Sequence, residues 1–164
     1  MTPAAVCDTL TRRMNTTGTI GNILHHKGRQ VWSVSPETTV LEAITMLADR
    51  NVGSLLVMDG ATLVGVFTER DYTRNIALRG RSSRDTKIGD VVSTPVLTVT
   101  LEHTVEECMR LMTEHRVRHF PVLEGGQVVG VISIGDLVNW TISTQSIALE
   151  QMQSYITGGY PTPG

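Results

Sequence analysis

Cysteine is scarce in this chain: its 164 residues hold two, Cys7 and Cys108, which excludes a disulfide framework and offers no metal-ligand spacing. An apolar run of transmembrane length is missing too, the longest being short Val/Leu segments. So is a positive excess. Lys and Arg number 14 against 16 Asp and Glu, a net charge of −2, and binding to a nucleic-acid backbone needs surplus positive charge. The chain has no Walker loop, no Gly-x-Ser-x-Gly, no paired histidine ligands and no specific Cys-His arrangement. Enzymes need a nucleophile or base beside a positioned partner. The expectation is therefore no catalytic residue, no bound metal, no membrane segment and no nucleic-acid partner. The cysteine usage fits a reducing, cytoplasmic setting. Residues 1–19, with Arg12, Arg13 and only Asp8 as an acid, read as a flexible start; an organellar presequence is the other reading.

What the chain does have is an internal repeat. Shifted by 65 positions, Gly65-Val66-Phe67-Thr68-Glu69-Arg70-Asp71 falls on Gly130-Val131-Ile132-Ser133-Ile134-Gly135-Asp136, and Thr39-Val40 on Thr104-Val105. The match holds without a gap from Val34/Val99 to Asp71/Asp136, so it is a duplication that sets the architecture. Each half alone would be marginal in size, and the halves are expected to share an interface.

Each copy reads as β-α-β-β-α, an α/β class of fold with two repeats packed as a pseudo-twofold pair. Opening strands are expected at residues 31–34 and 96–99. Thr39…Glu42 and Thr104…Glu107 match capping boxes. Val40, Ala43, Ile44 and Leu47 recur at helical spacing, as do Val105, Cys108, Met109 and Met112, which makes Cys108 a buried, inert thiol. Hairpins follow around Asp59-Gly60 and Glu124-Gly125-Gly126. The first repeat spans residues 20–79, a polar connector 80–87 and the second repeat 88–141. An amphipathic helix over 142–157 carries Ile142, Leu149 and Ile156 at seven-residue intervals; it serves either as a self-association seam or as packing for its own domain. Residues 158–164 read as a frayed tail.

The chemistry concentrates in Gly-x-x-(Thr/Ser)-x-x-Asp, present in both copies. Thr68 and Ser133 sit where a strand gives way to a helix, where free backbone N–H groups favour phosphate. Asp71 and Asp136 follow one turn later, and an ionised carboxylate accepts the two hydrogen bonds of a vicinal diol such as ribose. Gly65 at the strand permits close approach of a ligand or backbone. The plainer reading is of helix caps alone, which a single copy would favour and two copies in register argue against. His115, Arg116, Arg118 and His119 form a basic cluster without counterpart in the first copy, where Arg50, Asn51, Gly53 and Ser54 stand. Leu55-Leu56 replaces Phe120-Pro121, and Arg70 faces only Gly135 in the alignment. One stronger site is expected rather than two equal ones. His25-His26-Lys27-Gly28 reads as a surface loop, with Lys27 a more distant phosphate contact.

These motifs, over roughly residues 20 to 141, resemble tandem CBS domains (Bateman modules), as does Arg118-His119-Phe120-Pro121-Val122. The resemblance to stand-alone members extends through Gly-Arg-Ser-Ser-Arg at 80–84 and Glu69-Arg70-Asp71-Tyr72. It implies an adenosyl ligand between the repeats: AMP, ADP or ATP, with S-adenosylmethionine or NAD(H) as alternatives. By position, Asp71 and Asp136 would hold ribose, Thr68 and Ser133 ribose or phosphate, and Arg116, Arg118 and His119 phosphate. Pro121, Arg70, Lys27 and Trp32, which by the resemblance would wall the adenine, complete the candidate set. It further implies a homodimer and an effector protein that reads the bound state. An NAD(H)-responsive redox sensor and a ligand-free dimeric scaffold are the alternative functions.

Overall fold

The structure, a computed structural model, describes residues 18–92 and 94–157. The readings of residues 1–17, Cys7 among them, and of the tail 158–164 lie outside the described residues.

The duplication is visible element by element. α1 (Ile20–Lys27) precedes β1 (Ser33–Val34), α2 (Val40–Arg50), β2 (Ser54–Asp59), β3 (Thr62–Thr68) and α3 (Glu69–Asn75). After short 3-10 turns at Ala77–Arg79 and Ile88–Asp90 come β4 (Val99–Thr100), α4 (Val105–His115), β5 (His119–Glu124), β6 (Gln127–Ser133) and α5 (Ile134–Thr157). The sheets run β1-β2-β3 and β4-β5-β6. α2 and α4 start on capping boxes, Thr39 with Glu42 and Thr104 with Glu107, and both end on a left-handed residue, Asn51 and Arg116. Even the alternation of buried and exposed positions is the same in β2 and β5, and again in β3 and β6.

Two local expectations need correction. The opening strands are shorter than 31–34 and 96–99, because only two residue pairs bond in parallel on each sheet: Ser33 and Val34 with Leu56 and Val57, and Val99 and Thr100 with Val122 and Leu123. In the first copy Leu56 N also donates to Trp32 O at 3.0 Å. Pro121 stands where Leu56 does and has no N–H to donate, so β4 begins one register position later than β1. The second correction concerns His25, His26 and Lys27, which form the last turn of α1 rather than a loop. Ile20, Ile23 and Leu24 bury one face of that helix, Thr19 and Asn22 cap it reciprocally, and Gly28 at φ 94° ends it.

The chain divides into two compact units that do not coincide with the repeats. One comprises residues 18–27, 101–118 and 132–157; the other comprises 28–100 and 119–131. Each unit therefore draws on both copies. In the second unit Val40, Ala43 and Leu47 from α2 pack with Leu55, Val57 and Phe67 from the sheet and with Ile76, Ile88 and Val91. The connector is tied down there: Val40 N donates to Thr86 O and Leu41 N to Ser83 O. In the first unit Ile20, Ile23, Leu24, Val105, Cys108, Met112, Ile132 and Leu137 are buried. Burial, with a smaller push from the Glu107 charge, raises the Cys108 thiol to about 11. Native protein at neutral pH should leave Cys108 unlabelled by a thiol reagent, and unfolding in urea should expose it; rapid labelling of the folded chain at this residue would contradict the packing.

The copies part company after the motif. α3 stops at Asn75, and the chain turns at Gly80, φ 62°. Position 145, its counterpart, is Gln, and α5 runs unbroken for 24 residues. Leu137 is buried and Trp140, Thr141 and Thr144 are half-buried, but from 145 to 156 every side chain is exposed. The second half of α5 thus does not pack against its own domain among the described residues.

Candidate functional site

Both Gly-x-x-(Thr/Ser)-x-x-Asp motifs fold as closed caps at the strand-to-helix junction. In the first copy Asp71 Oδ2 accepts from Thr68 N at 2.8 Å and from its hydroxyl at 2.7 Å, while Asp71 N donates to Thr68 Oγ1 at 3.3 Å. Ser133 and Asp136 repeat the pattern at 2.8, 2.8 and 3.2 Å. In each case Oδ2 serves the cap and Oδ1 takes no part in it. A half-buried carboxylate held in one rotamer, with an oxygen to spare, is a pre-set acceptor for a hydroxyl. The caps realise the plainer structural role, and they leave that second oxygen outside the cap.

Glycine behaves differently from expectation at Gly65. A Cβ there would lie 2.3 Å from Val92 Cγ2, so the close neighbour is a stiff core side chain, not a ligand. Gly65→Ala should destabilise the fold by about 1–3 kcal/mol through overpacking, read as a fall in the urea midpoint; an unchanged midpoint would mean Val92 yields freely.

The two copies differ electrostatically. Lys27, at the end of α1, places its ammonium 2.6 Å from Asp136 Oδ2, so this carboxylate oxygen receives three donors. Lys27, the expected more distant phosphate contact, is paired with the second carboxylate. Burial pushes the Asp136 carboxyl upward, but the Lys27 and Ser133 hydrogen bonds and the Lys27 charge together outweigh burial and hold it below its ordinary 3.8. A depressed folded value contributes stability that is complete above 3.8 and fades as pH falls through the lower folded value. Lys27→Met should therefore move the Asp136 carboxyl titration upward by NMR and reduce the acid-limb loss of stability. A titration unmoved by the substitution would refute the pairing.

The remaining candidates divide between the two units. Lys27, Arg116, Arg118, Ser133 and Asp136 belong to one, and Trp32, Thr68, Arg70, Asp71, His119 and Pro121 to the other. Arg116 and Arg118 are exposed, and the Arg118 carbonyl accepts from Ile134 N at 2.9 Å, joining it to the start of α5. Arg70 is exposed on α3, and Pro121 is buried within β5. The Trp32 ring carries the Arg50 guanidinium 4.1 Å from its centroid, a cation–π contact. Gly53, the first-copy counterpart of Arg118 in the sequence, stands next to His119. A Cβ on it would stand 3.1 Å from His119 Nε2, so the missing side chain leaves room for the imidazole. A cavity of about 580 Å³ lies elsewhere, lined by Ala61–Val64, Pro95, Val96, Thr98, Leu123 and Gly126–Val128. None of its lining residues is charged or belongs to the motifs. It meets β3 at the hairpin end, roughly 20 Å along the strand from Thr68.

The family model for the CBS domain matches residues 22–78 and 88–143. The chain belongs to the CBS-domain family. The chain is 37% identical over 152 residues to the Arabidopsis thaliana protein "CBS domain-containing protein CBSX3, mitochondrial", covering 87% of this chain and 73% of that one. A solved structure of a putative signal-transduction protein with CBS domains from Burkholderia ambifaria is similar at 43% identity and TM-score 0.75, covering 77% of this chain and 96% of that chain. A second, CBSX2 in complex with AMP, is 26% identical at TM-score 0.64 and covers 78% and 98%. This is a regulatory CBS pair of mixed α/β fold. No helix among the described residues is long and apolar enough to cross a membrane, and no group of three or more His, Cys, Asp or Glu residues among them could hold a metal ion.

Proposed function

We propose that this CBS pair is a non-catalytic sensor of an adenine nucleotide, AMP, ADP or ATP, whose bound state is read by an effector protein. The observation that carries the reading is the pair of strand-end caps, in which Asp71 and Asp136 each keep Oδ1 outside the cap and so can accept from a ribose hydroxyl. The AMP complex of the similar CBSX2 supports the ligand class. The described residues supply hydrogen-bonding and charged groups for a ribose phosphate but no activated nucleophile, so recognition without turnover is the chemistry they fit. A ligand shifts a regulatory equilibrium only through its differential affinity for the two states, which is why a separate reader is part of the proposal.

Melting measured with AMP, ADP, ATP, S-adenosylmethionine, NAD and NADH tests it. Binding to the folded chain at a hundredfold excess over Kd adds about 2.7 kcal/mol, a plain upward shift in Tm. The adenine mononucleotides should give it without being consumed. A shift confined to NAD or NADH would replace the reading with a redox-state sensor. Silence across the panel would leave a ligand-free scaffold, and hydrolysis of the nucleotide would make the protein an enzyme.

A further inference from the structure

We infer that residues 74–84 form a docking surface for an acidic segment of another protein, one that carries an apolar side chain among its carboxylates. The inference does not rest on the nucleotide reading. This stretch holds Arg74, Arg79, Arg81 and Arg84 and no Asp or Glu. Four of the chain's 14 Lys and Arg residues thus lie here, which leaves 10 against 16 acids elsewhere. Positive charge is gathered in one place on a chain that is otherwise acidic. All four arginines are exposed, and none of them forms an ion pair among the described residues. Their alignment counterparts Asn139, Thr144, Ser146 and Leu149 carry no charge, so the patch is a property of the first copy and not of the repeat.

Solubility alone accounts for scattered exposed charge, but this segment is neither scattered nor loose. Arg79 N and Arg81 N both donate to the carbonyl of buried Ile76, at 3.2 and 3.1 Å. Ser83 O accepts from Leu41 N at 2.8 Å and Ser82 O from Thr86 N at 3.0 Å, while Ser82 Oγ donates to Asp85 Oδ2 at 2.6 Å. A backbone held this way presents its arginines from fixed points, so binding has to order side chains alone. Leu78 indicates which anion fits. It lies between Arg74 and Arg79 in the chain and is 78% exposed, an apolar contact beside the charges. A bare phosphate makes no use of it, and the acidic remainder of the chain repels the long polyanion of a nucleic acid. A short run of Asp and Glu around an apolar residue meets both features. Its carboxylates pair with guanidinium forks, and its apolar group covers Leu78.

Fluorescence anisotropy of the full chain with a labelled peptide of several Glu around one Leu tests the surface. The Glu peptide should bind about tenfold tighter than its Gln counterpart, the difference that a charge-assisted hydrogen bond makes, and more weakly as salt rises. Arg81→Gln/Arg84→Gln should cost about tenfold and Leu78→Ser several-fold, both with wild-type melting because these side chains are exposed. No binding of the Glu peptide, or equal binding of the Glu and Gln peptides, would overturn the inference. So would a double variant that binds as wild type does. Duplex DNA that displaces the peptide at lower concentration than the unlabelled peptide would make this a nucleic-acid surface instead. An AMP-induced melting shift lost in the double variant, with peptide binding retained, would assign the arginines to the nucleotide.

Discussion

Asp71→Ala should weaken adenine-nucleotide binding by about tenfold to a hundredfold, the worth of a hydrogen bond to a charged group, while Asp136→Ala should cost far less. The asymmetry follows from Lys27. Its ammonium sits on the Asp136 carboxylate, so a ribose at the second copy must compete with, or work around, a charge-assisted hydrogen bond. Asp71 has its cap and no such lysine bond. Isothermal titration should thus find about one nucleotide per chain, and Lys27→Met should raise the number toward two by releasing Asp136. Equal losses from the two Asp variants, or a stoichiometry indifferent to Lys27, would make the copies equivalent and remove the role assigned to this contact. Because Asp71 also caps α3, Asp71→Asn is the companion variant: it keeps an acceptor oxygen for the cap while removing the charge. If Asp71→Asn binds as wild type does, the carboxylate charge is not what recognises the ligand.

Phe67→Ala should be the most damaging substitution for stability. The ring is fully buried among Val40, Leu47, Leu55 and Ile76 in the sheet-and-helix core. Removing it leaves a cavity as well as lost burial, about 3–5 kcal/mol, out of a total that is typically 5–15. For a chain of this length that is roughly 10 °C of melting temperature or more. Phe120→Ala tests the second sheet in the same way, its ring being 1% exposed. Leu78→Ala is the contrast, since that side chain is 78% exposed and should stay within about 0.5 kcal/mol of wild type. A Phe67→Ala chain no less stable than Leu78→Ala would mean the core lies elsewhere.

Most of the secondary structure was legible because it is locally encoded. Thr39, Thr104, Thr68 and Ser133 each stand three residues before an acid, and all four cap helices as that spacing dictates. The hairpins follow from their glycines, which take positive φ at Gly60, Gly125 and Gly126. α1 was missed because the polar His25-His26-Lys27 end drew the eye from Ile20, Ile23 and Leu24, whose spacing is helical. The site was less readable because its distinguishing contacts are not local. Lys27 and Asp136 are 109 residues apart in the chain, and nothing in either neighbourhood announces the other. Arg50 over Trp32 and Val92 against Gly65 are likewise products of packing, which a one-dimensional pattern does not contain. Pro121 shows the converse. Its missing N–H was visible in the sequence, but its effect on the start of β4 became interpretable only beside Leu56.

The left-handed turn at Gly80 has a consequence for how such a chain grows. A unit copied in tandem must hand the polypeptide back to its successor, and the inner copy carries a glycine at that exchange. The second copy carries Gln145 at the matching place, and its helix runs on without a turn to Thr157. Symmetry inherited from duplication therefore lapses at a single position: the same motif leads into a reversal of the chain in one copy and into a continuous helix in the other.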